Sequence, residues 1–299
     1  LADVDRFFVP VPRLKEQHAI AKVLTTVDNL IEKTEALIAK YQAIKQGMMH
    51  DLFTRGVDEH GHLRPTYDEA PELYKESELG WIPKEWEAVT LRDDIDILHG
   101  YAFEGEFFTD SPPGEVLLVP GNFHRNGGLY FTAENTKYFR GPVPPQTVLR
   151  NGDLVIVMTD LSPRTLILGR VAEITLPYPV LHNQRIGLVR TKHDQEWNRR
   201  FLLFALNSER LRNAIILTAT GTTVRHTSPT RILTNRIPKP HKPEQNRIAE
   251  CLDQIERGTC TESERVTKLQ ATRTGLMQDL LTGTVRVVTH ETEEAPGNE

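Results

Sequence analysis

The run Thr218-Ala219-Thr220-Gly221-Thr222-Thr223-Val224-Arg225-His226-Thr227-Ser228 gathers hydroxyls around one glycine and ends in a guanidinium and an imidazole. Hydroxyls, backbone amides and a guanidinium together suit contacts to phosphate oxygens and base edges. The same composition also makes an ordinary flexible loop, and the segment alone does not decide between the two. Three further segments mix aromatic or Arg side chains with turn residues: Gly100-Tyr101-Ala102-Phe103, the stretch from Gly121 to Gly128, and Thr159-Asp160-Leu161-Ser162-Pro163-Arg164. Drawn from these loops and from Arg185, the candidate nucleic-acid contacts are Tyr101, Asn122, Arg125, Asp160, Ser162, Arg164, Arg185, Thr222, Thr223, Arg225 and His226.

Signatures of catalysis are missing. No Asp or Glu stands two residues before a Lys, which removes the Glu-x-Lys half of a common nuclease site. There is no GxxxxGK phosphate loop, no GxGxxG fingerprint and no Asn- or Asp-Pro-Pro-aromatic tetrapeptide. The eleven histidines are scattered, and His60 and His62 have neither cysteine companions nor an HExxH helix, so no metal site is expected. Cys251 and Cys260 fit neither a zinc site nor a disulfide framework and read as reduced thiols. The chain is expected to perform no chemistry alone.

Charge narrows the partner. The formal net charge of −5 argues against a generally basic binder, yet residues 161–236 carry 12 Lys and Arg against 4 Asp and Glu. Eleven of those cations are Arg, whose planar fork matches phosphate and guanine edges. The preceding residues 91–160 carry 5 against 10, so the asymmetry lies inside one region. No apolar stretch approaches the length of a membrane span and no secretory signal opens the chain, so a cytoplasmic protein is expected.

These loops must be held by something, and the strongest organising feature is a repeat. Shifted by 228 positions without a gap, residues 9–57 match residues 237–285 at 16 of 49 positions. Pro10, Pro12, Glu16, Gln17, Ile20, Ala21 and Leu24 reappear as Pro238, Pro240, Glu244, Gln245, Ile248, Ala249 and Leu252. Each copy begins with an extended Pro-x-Pro segment, after which a long helix can start. Apolar residues then recur at steps of three and four. In the first copy the seam is Leu24, Val27, Ile31, Ile38, Tyr41, Met48 and Leu52, with polar gaps at Thr34 and Lys45. In the second it is Leu252, Ile255, Val266, Leu269, Leu276 and Leu280. Helices of about 40 residues and roughly 60 Å need a partner along their length. The simplest partner is the other copy, although helices of another subunit could share the seam, and these positions, apart from Leu52 and Leu280, are the expected interface residues.

Between the copies, residues 58–78 show little periodicity and read as a linker. Order resumes near Leu79, and residues 79–236 alternate short β-type runs with turn signals: Val116 to Val119, Gly128 to Phe131, Leu154 to Met158, Leu166 to Val171 and Ile186 to Val189. One helix is expected from Asn198 to Ala214. The fold class is α+β, a strand-rich domain with antiparallel pairing flanked by two long helices.

The doubled phrases resemble the specificity subunit of type I restriction-modification systems. The resemblance rests on Val9-Pro10-Val11-Pro12 with Glu16-Gln17-x-x-Ile20-Ala21 and its copy from Ile237, and on the helix-ending phrases Gly47 to Thr54 and Gly275 to Gly283. It also includes Glu78 to Glu87, Asn151 to Ile156 and the Gly221 to Ser228 loop. It implies a non-catalytic subunit whose target recognition domains each read one half of a split site in double-stranded DNA, spaced by conserved-region helices packed as an antiparallel coiled coil. It further implies methyltransferase subunits using S-adenosylmethionine, and ATP- and Mg-dependent restriction subunits as partners, with no cofactor in this chain. One departure is plain, for the chain holds one recognition domain and not two. Under the same shift residues 1–8 fall on the end of that domain, residues 229–236. They are expected to be the end of an upstream recognition domain, with residues 286–299 a flexible tail. The chain is then the C-terminal part of a longer subunit, or a half-length subunit that pairs with itself.

Overall fold

The computed structural model describes residues 10–287. The expected upstream remnant at residues 1–8 lies outside them, as does all of the expected tail but Arg286 and Val287. Two units emerge: residues 10–46 with 253–287, and Gly47–Leu252.

The first unit consists of the greater parts of two long helices, α1 (Leu14–Thr54) and α6 (Lys242–Leu281). Lys45 pairs with Glu256 at 2.5 Å, Arg273 with Asp28 at 2.5 Å and Arg286 with Glu16 at 3.3 Å. As one number rises the other falls, so the helices run antiparallel. Val27, Ile31, Ile38, Tyr41, Ile255, Val266, Leu269 and Leu276 are all half-buried, and the Tyr41 ring lies beside Gly258 of α6, where an added Cβ would sit 3.7 Å from it. Thr34, a polar break in the seam, is buried and donates to the Leu30 carbonyl at 2.7 Å, which removes the cost of an unpaired hydroxyl. No helix among the described residues is long and apolar enough to cross a membrane.

The second unit holds the strands. In chain order they are β1 (Tyr74–Ser77), β2 (Gly80–Pro83), β3 (Glu87–Thr90), a single turn α2 (Leu91–Asp94), β4 (Ile95–His99), β5 (Phe108–Thr109), β6 (Glu115–Leu118), β7 (Lys137–Phe139) and β8 (Val148–Leu149). Then come β9 (Leu154–Val157), β10 (Thr159–Asp160), β11 (Val171–Glu173), β12 (Val180–His182), β13 (Ile186–Thr191), helices α3 (Arg199–Leu206) and α4 (Glu209–Leu217), β14 (Arg225–His226), α5 (Pro229–Leu233) and β15 (Arg236–Lys239). A four-stranded sheet in the order β11-β9-β13-β4 is antiparallel throughout. A five-stranded sheet in the order β5-β7-β6-β12-β8 contains one parallel pair, β6 with β12.

Strand β9 shows how the sheets pack. Leu154 and Ile156 enter the core that also holds Trp86, Phe201, Phe204, Leu52, Phe53, Ile248 and Leu252, while Val155 and Val157 enter a second core with Leu118, Leu149, Val180 and Ile186. Alternate side chains point to opposite faces of a strand. A strand buried on both faces therefore reads as a continuous apolar run, and Leu154 to Met158 is one.

Several expectations change. Residues 58–78 are ordered: Val57 bridges to Leu63, Tyr74 is buried, and β1 pairs with β2 from Tyr74↔Pro83 to Ser77↔Gly80. The stretch expected to be one helix from Asn198 to Ala214 is two, because Ser208 breaks it and caps α4 by accepting from the Leu211 amide. Gly128 to Phe131 is turn and coil with one bridge, Phe123↔Leu129. Leu166 to Val171 joins a sheet only at Val171; its apolarity serves burial of Leu168 in the first core and packing of Ile167 against the second.

Candidate nucleic-acid interface

The register of the four-stranded sheet sets His99 opposite Gly187 and Val157 opposite Ile186. The end of β4, the end of β9 and the start of β13 therefore lie at one end of the sheet. Parallel pairing of Leu118 with His182 brings the end of β6 to the same place. Four loops leave from this end: 99–103, 119–130, 158–168 and 183–185. A fifth, 218–228, is tied on by the pairs Thr159↔His226 and Asp160↔Arg225 and by the Thr227 amide, which donates to the Met158 carbonyl at 2.9 Å.

The approach of the first loop depends on Gly100. A Cβ there would collide with the backbone carbonyls of His182 and Asn183. With glycine in place the Tyr101 amide donates to the His182 carbonyl at 2.8 Å and the Gln184 amide to the Tyr101 carbonyl at 2.9 Å. The turn between the sheets is closed by buried Asn183, whose Oδ1 accepts from the Arg185 amide at 2.9 Å. Beside it His182 is buried, and burial pushes its imidazole below the usual histidine range.

The candidate contacts divide into two groups. Arg125, Arg164 and Arg185 are exposed, and their guanidiniums bond to no other described residue. Tyr101 is 42% exposed with its ring edge-on to Phe103 at 5.1 Å. Thr222 and Thr223 are exposed, and His226 is exposed with Nδ1 3.1 Å from the Thr159 hydroxyl. These seven groups stand at the surface of the loop cluster.

The remaining four are turned to the protein's own backbone, and the burial of Asn122 and Asp160 corrects the expectation that these two make contacts, whereas Ser162 and Arg225 are half-buried. Asn122 is fully buried, accepting from the Val119 amide at 2.9 Å and donating to the Asn135 carbonyl at 3.1 Å, so it has no surface to offer. Asp160 is 2% exposed; Oδ1 accepts from the Ser162 amide at 2.7 Å, and Oδ2 from the Ile167 amide at 2.7 Å and the Leu168 amide at 3.1 Å. The Ser162 hydroxyl accepts from the Arg164 amide at 3.2 Å. Arg225 is half-buried and donates to the carbonyls of Gly221 at 3.0 Å and Ile216 at 3.2 Å. Gly221, at φ +91°, lets that loop fold back on Val224, where a side chain would strike the Val224 carbonyl.

Residues passed over in the sequence also matter. Arg212 donates to the carbonyls of Thr165, of Leu166 at 3.0 Å and of Leu168 at 3.2 Å. Burial holds its guanidinium below its ordinary range, with the Asp160 carboxylate opposing the shift. Burial, reinforced by the like charge of Arg212, pushes the neighbouring Arg170 down to about 10. Leu161 is 61% exposed. The Asp-x-Ser spacing of Asp160 and Ser162 is a recognised local turn pattern and could have marked that carboxylate as structural. Among the described residues no cluster of three or more His, Cys, Asp or Glu could hold a metal ion.

A family model described as "Type I restriction modification DNA specificity domain" matches residues 83–271. The type I restriction enzyme MjaVIII specificity subunit of Methanocaldococcus jannaschii is 30% identical over 282 residues, covering 93% of this chain and 62% of that protein. The putative type I restriction enzyme MjaX specificity subunit of the same organism is 27% identical over 284 residues, covering 94% and 60%. The chain thus spans about three fifths of the length of the curated relatives it matches. A crystal structure of a type I restriction-modification system S subunit from M. genitalium aligns with a TM-score of 0.56 at 14% identity, over 90% of this chain and 61% of that one, a likeness of fold.

Proposed function

This chain belongs to the type I restriction modification DNA specificity domain family, and from that premise we propose that it reads one half of a bipartite sequence in double-stranded DNA. The observation that carries the reading is the gathering of three exposed guanidiniums without a partner among the described residues, Arg125, Arg164 and Arg185, with Tyr101 and the Thr222–Thr223 hydroxyls on loops from one end of the sheets. Phosphate contacts from such groups supply affinity, and a few base-edge contacts supply selection. Buried Asn122 and Asp160 and half-buried Arg225 hold the loops. The role is non-catalytic: methylation with S-adenosylmethionine and ATP- and Mg-dependent cleavage belong to methyltransferase and restriction subunits that assemble on this one in the cytoplasm.

The helix pair acts as a ruler for half-site separation. Glu16, Ile20 and Leu24 of α1 repeat the residues by which α6 anchors in the second unit, so the same phrase receives a second recognition domain, from a longer chain or from a second copy. Light scattering on the full chain separates these versions, since a strict monomer removes the self-pairing one.

The test of DNA reading is binding of the full chain to duplex DNA across a salt series. Affinity should fall steeply with salt, and replacing Arg164 and Arg185 together by Ala should reduce the log–log slope by about 2. A slope unchanged by the double variant would remove this loop cluster as the interface.

A further inference from the structure

The loop from Asp160 to Leu168 is fastened from both sides. Three of its amides donate to the buried Asp160 carboxylate, and three of its carbonyls accept from Arg212. Within it the Thr165 amide donates to the Ser162 carbonyl at 3.0 Å, and the Arg164 amide to the Ser162 hydroxyl. Thr165 sits at φ +50°, a conformation that a β-branched residue adopts only when its surroundings impose it. Bonds to charged partners are the stronger class, and here they are spent on fixing a surface loop.

What this fastening presents outward is Leu161, flanked by exposed Pro163 and the unpaired Arg164. Leu168, seven positions on, is fully buried and anchors the far side of the loop. A lone exposed leucine needs no explanation. A leucine at 61% exposure on a loop held by a buried carboxylate and a partly buried guanidinium is different, because within that same loop Leu168 is fully buried and Ile167 packs half-buried against the second core.

We infer that Leu161 is a specificity-determining residue that makes an apolar contact with a base in the groove, as aliphatic groups do with the thymine methyl, and that Asp160 and Arg212 are positioning residues that aim it. This rests on the reading that the loop cluster binds duplex DNA. Arg164 on the same loop contacts phosphate and sets the depth of approach, while Leu161 supplies the selection. Arg212 reaches three carbonyls with one planar fork, which the point charge of a lysine cannot span.

The test is selection of binding sites from a randomised duplex pool by the full chain and by Leu161→Ala, Arg212→Lys and Arg164→Ala. Wild type should enrich a defined sequence. Leu161→Ala, a change at an exposed position, should melt at the wild-type temperature and bind an unselected duplex within about twofold. It should lose about tenfold discrimination at one or two base pairs, the size of a typical single mismatch. Arg212→Lys should blur the same base pairs, whereas Arg164→Ala should weaken all sequences alike and lower the salt slope. An unchanged enriched sequence with Leu161→Ala overturns the assignment of Leu161 while leaving the DNA-binding reading intact. Arg212→Lys that shifts only the melting temperature overturns its positioning role. A wild-type chain that enriches no sequence overturns both readings.

Discussion

At the start of α6, Glu244 is buried and accepts from the Val57 amide at 2.9 Å, the Trp86 indole at 3.0 Å and the Arg64 guanidinium at 3.1 Å. At the start of α1 its repeat partner Glu16 meets, among the described residues, the guanidinium of Arg286 at 3.3 Å. Gln245 is likewise buried and bonds to Asn198, Glu196 and Pro240, whereas exposed Gln17 bonds to Pro12. Yet one feature is the same in both copies. Gln245 Nε2 donates to the Pro240 carbonyl at 2.9 Å and Gln17 Nε2 to the Pro12 carbonyl at 2.8 Å, five residues back each time. Their amides donate to the equivalent carbonyls of His241 and Arg13 at 3.1 and 2.9 Å. Local structure follows the repeated sequence, and burial follows whatever packs on it. The turn into each helix is written in the cassette; the value of its Glu-Gln pair depends on surroundings that the cassette does not contain.

That contrast can be broken by paired substitutions. Glu244→Ala strands the partly buried Arg64 and leaves the Trp86 indole unpaired, and should cost about 3–5 kcal/mol in urea unfolding, against roughly 0–1 for Glu16→Ala. A similar loss at both sites would mean that the two helix starts are equally covered in solution. Leu252→Ala, in the first core at full burial, should cost about 2–5 kcal/mol, whereas Leu24→Ala, half-buried, should lose about half as much or less in the same assay. Gln245→Ala leaves the Asn198 amide and two carbonyls without their partner and should cost about 1–3 kcal/mol. Gln17→Ala removes one exposed bond and should stay within about 0.5 kcal/mol. If Gln17→Ala matched Gln245→Ala, the local turn alone would be setting the energetics and the contrast between the copies would dissolve.

The elements legible in the sequence are those whose signal is local or periodic. The repeat, the two long helices and the buried strand at Leu154 to Val157 carry their own patterns, and all three are present. What escaped was long-range. Arg64 lies in a stretch without periodicity, and nothing near it announces a partner 180 positions away. Leu166 to Val171 is apolar like a strand, but Asp160 and Arg212 take its backbone bonds and leave it a turn. In the loop cluster, residue type did not tell which side chains reach the surface. Arg125, Arg164 and Arg185 face outward, whereas Arg225 and Asp160, equally plausible from the sequence, are consumed by neighbouring backbone. An Arg that reaches solvent and one that braces a loop look identical until the carbonyls around them are located.

The three amides that donate to Asp160 also carry a statement about time and disorder. A surface loop usually retains conformational freedom that a partner must remove, at about 1–2 kcal/mol per residue fixed. Here the freedom of residues 160–168 is surrendered when the chain folds, so encounter with a partner has little left to freeze. The amide protons of Ser162, Ile167 and Leu168 should then exchange with solvent far more slowly than those of the exposed Thr222 and Thr223, in the free protein and before any DNA is added.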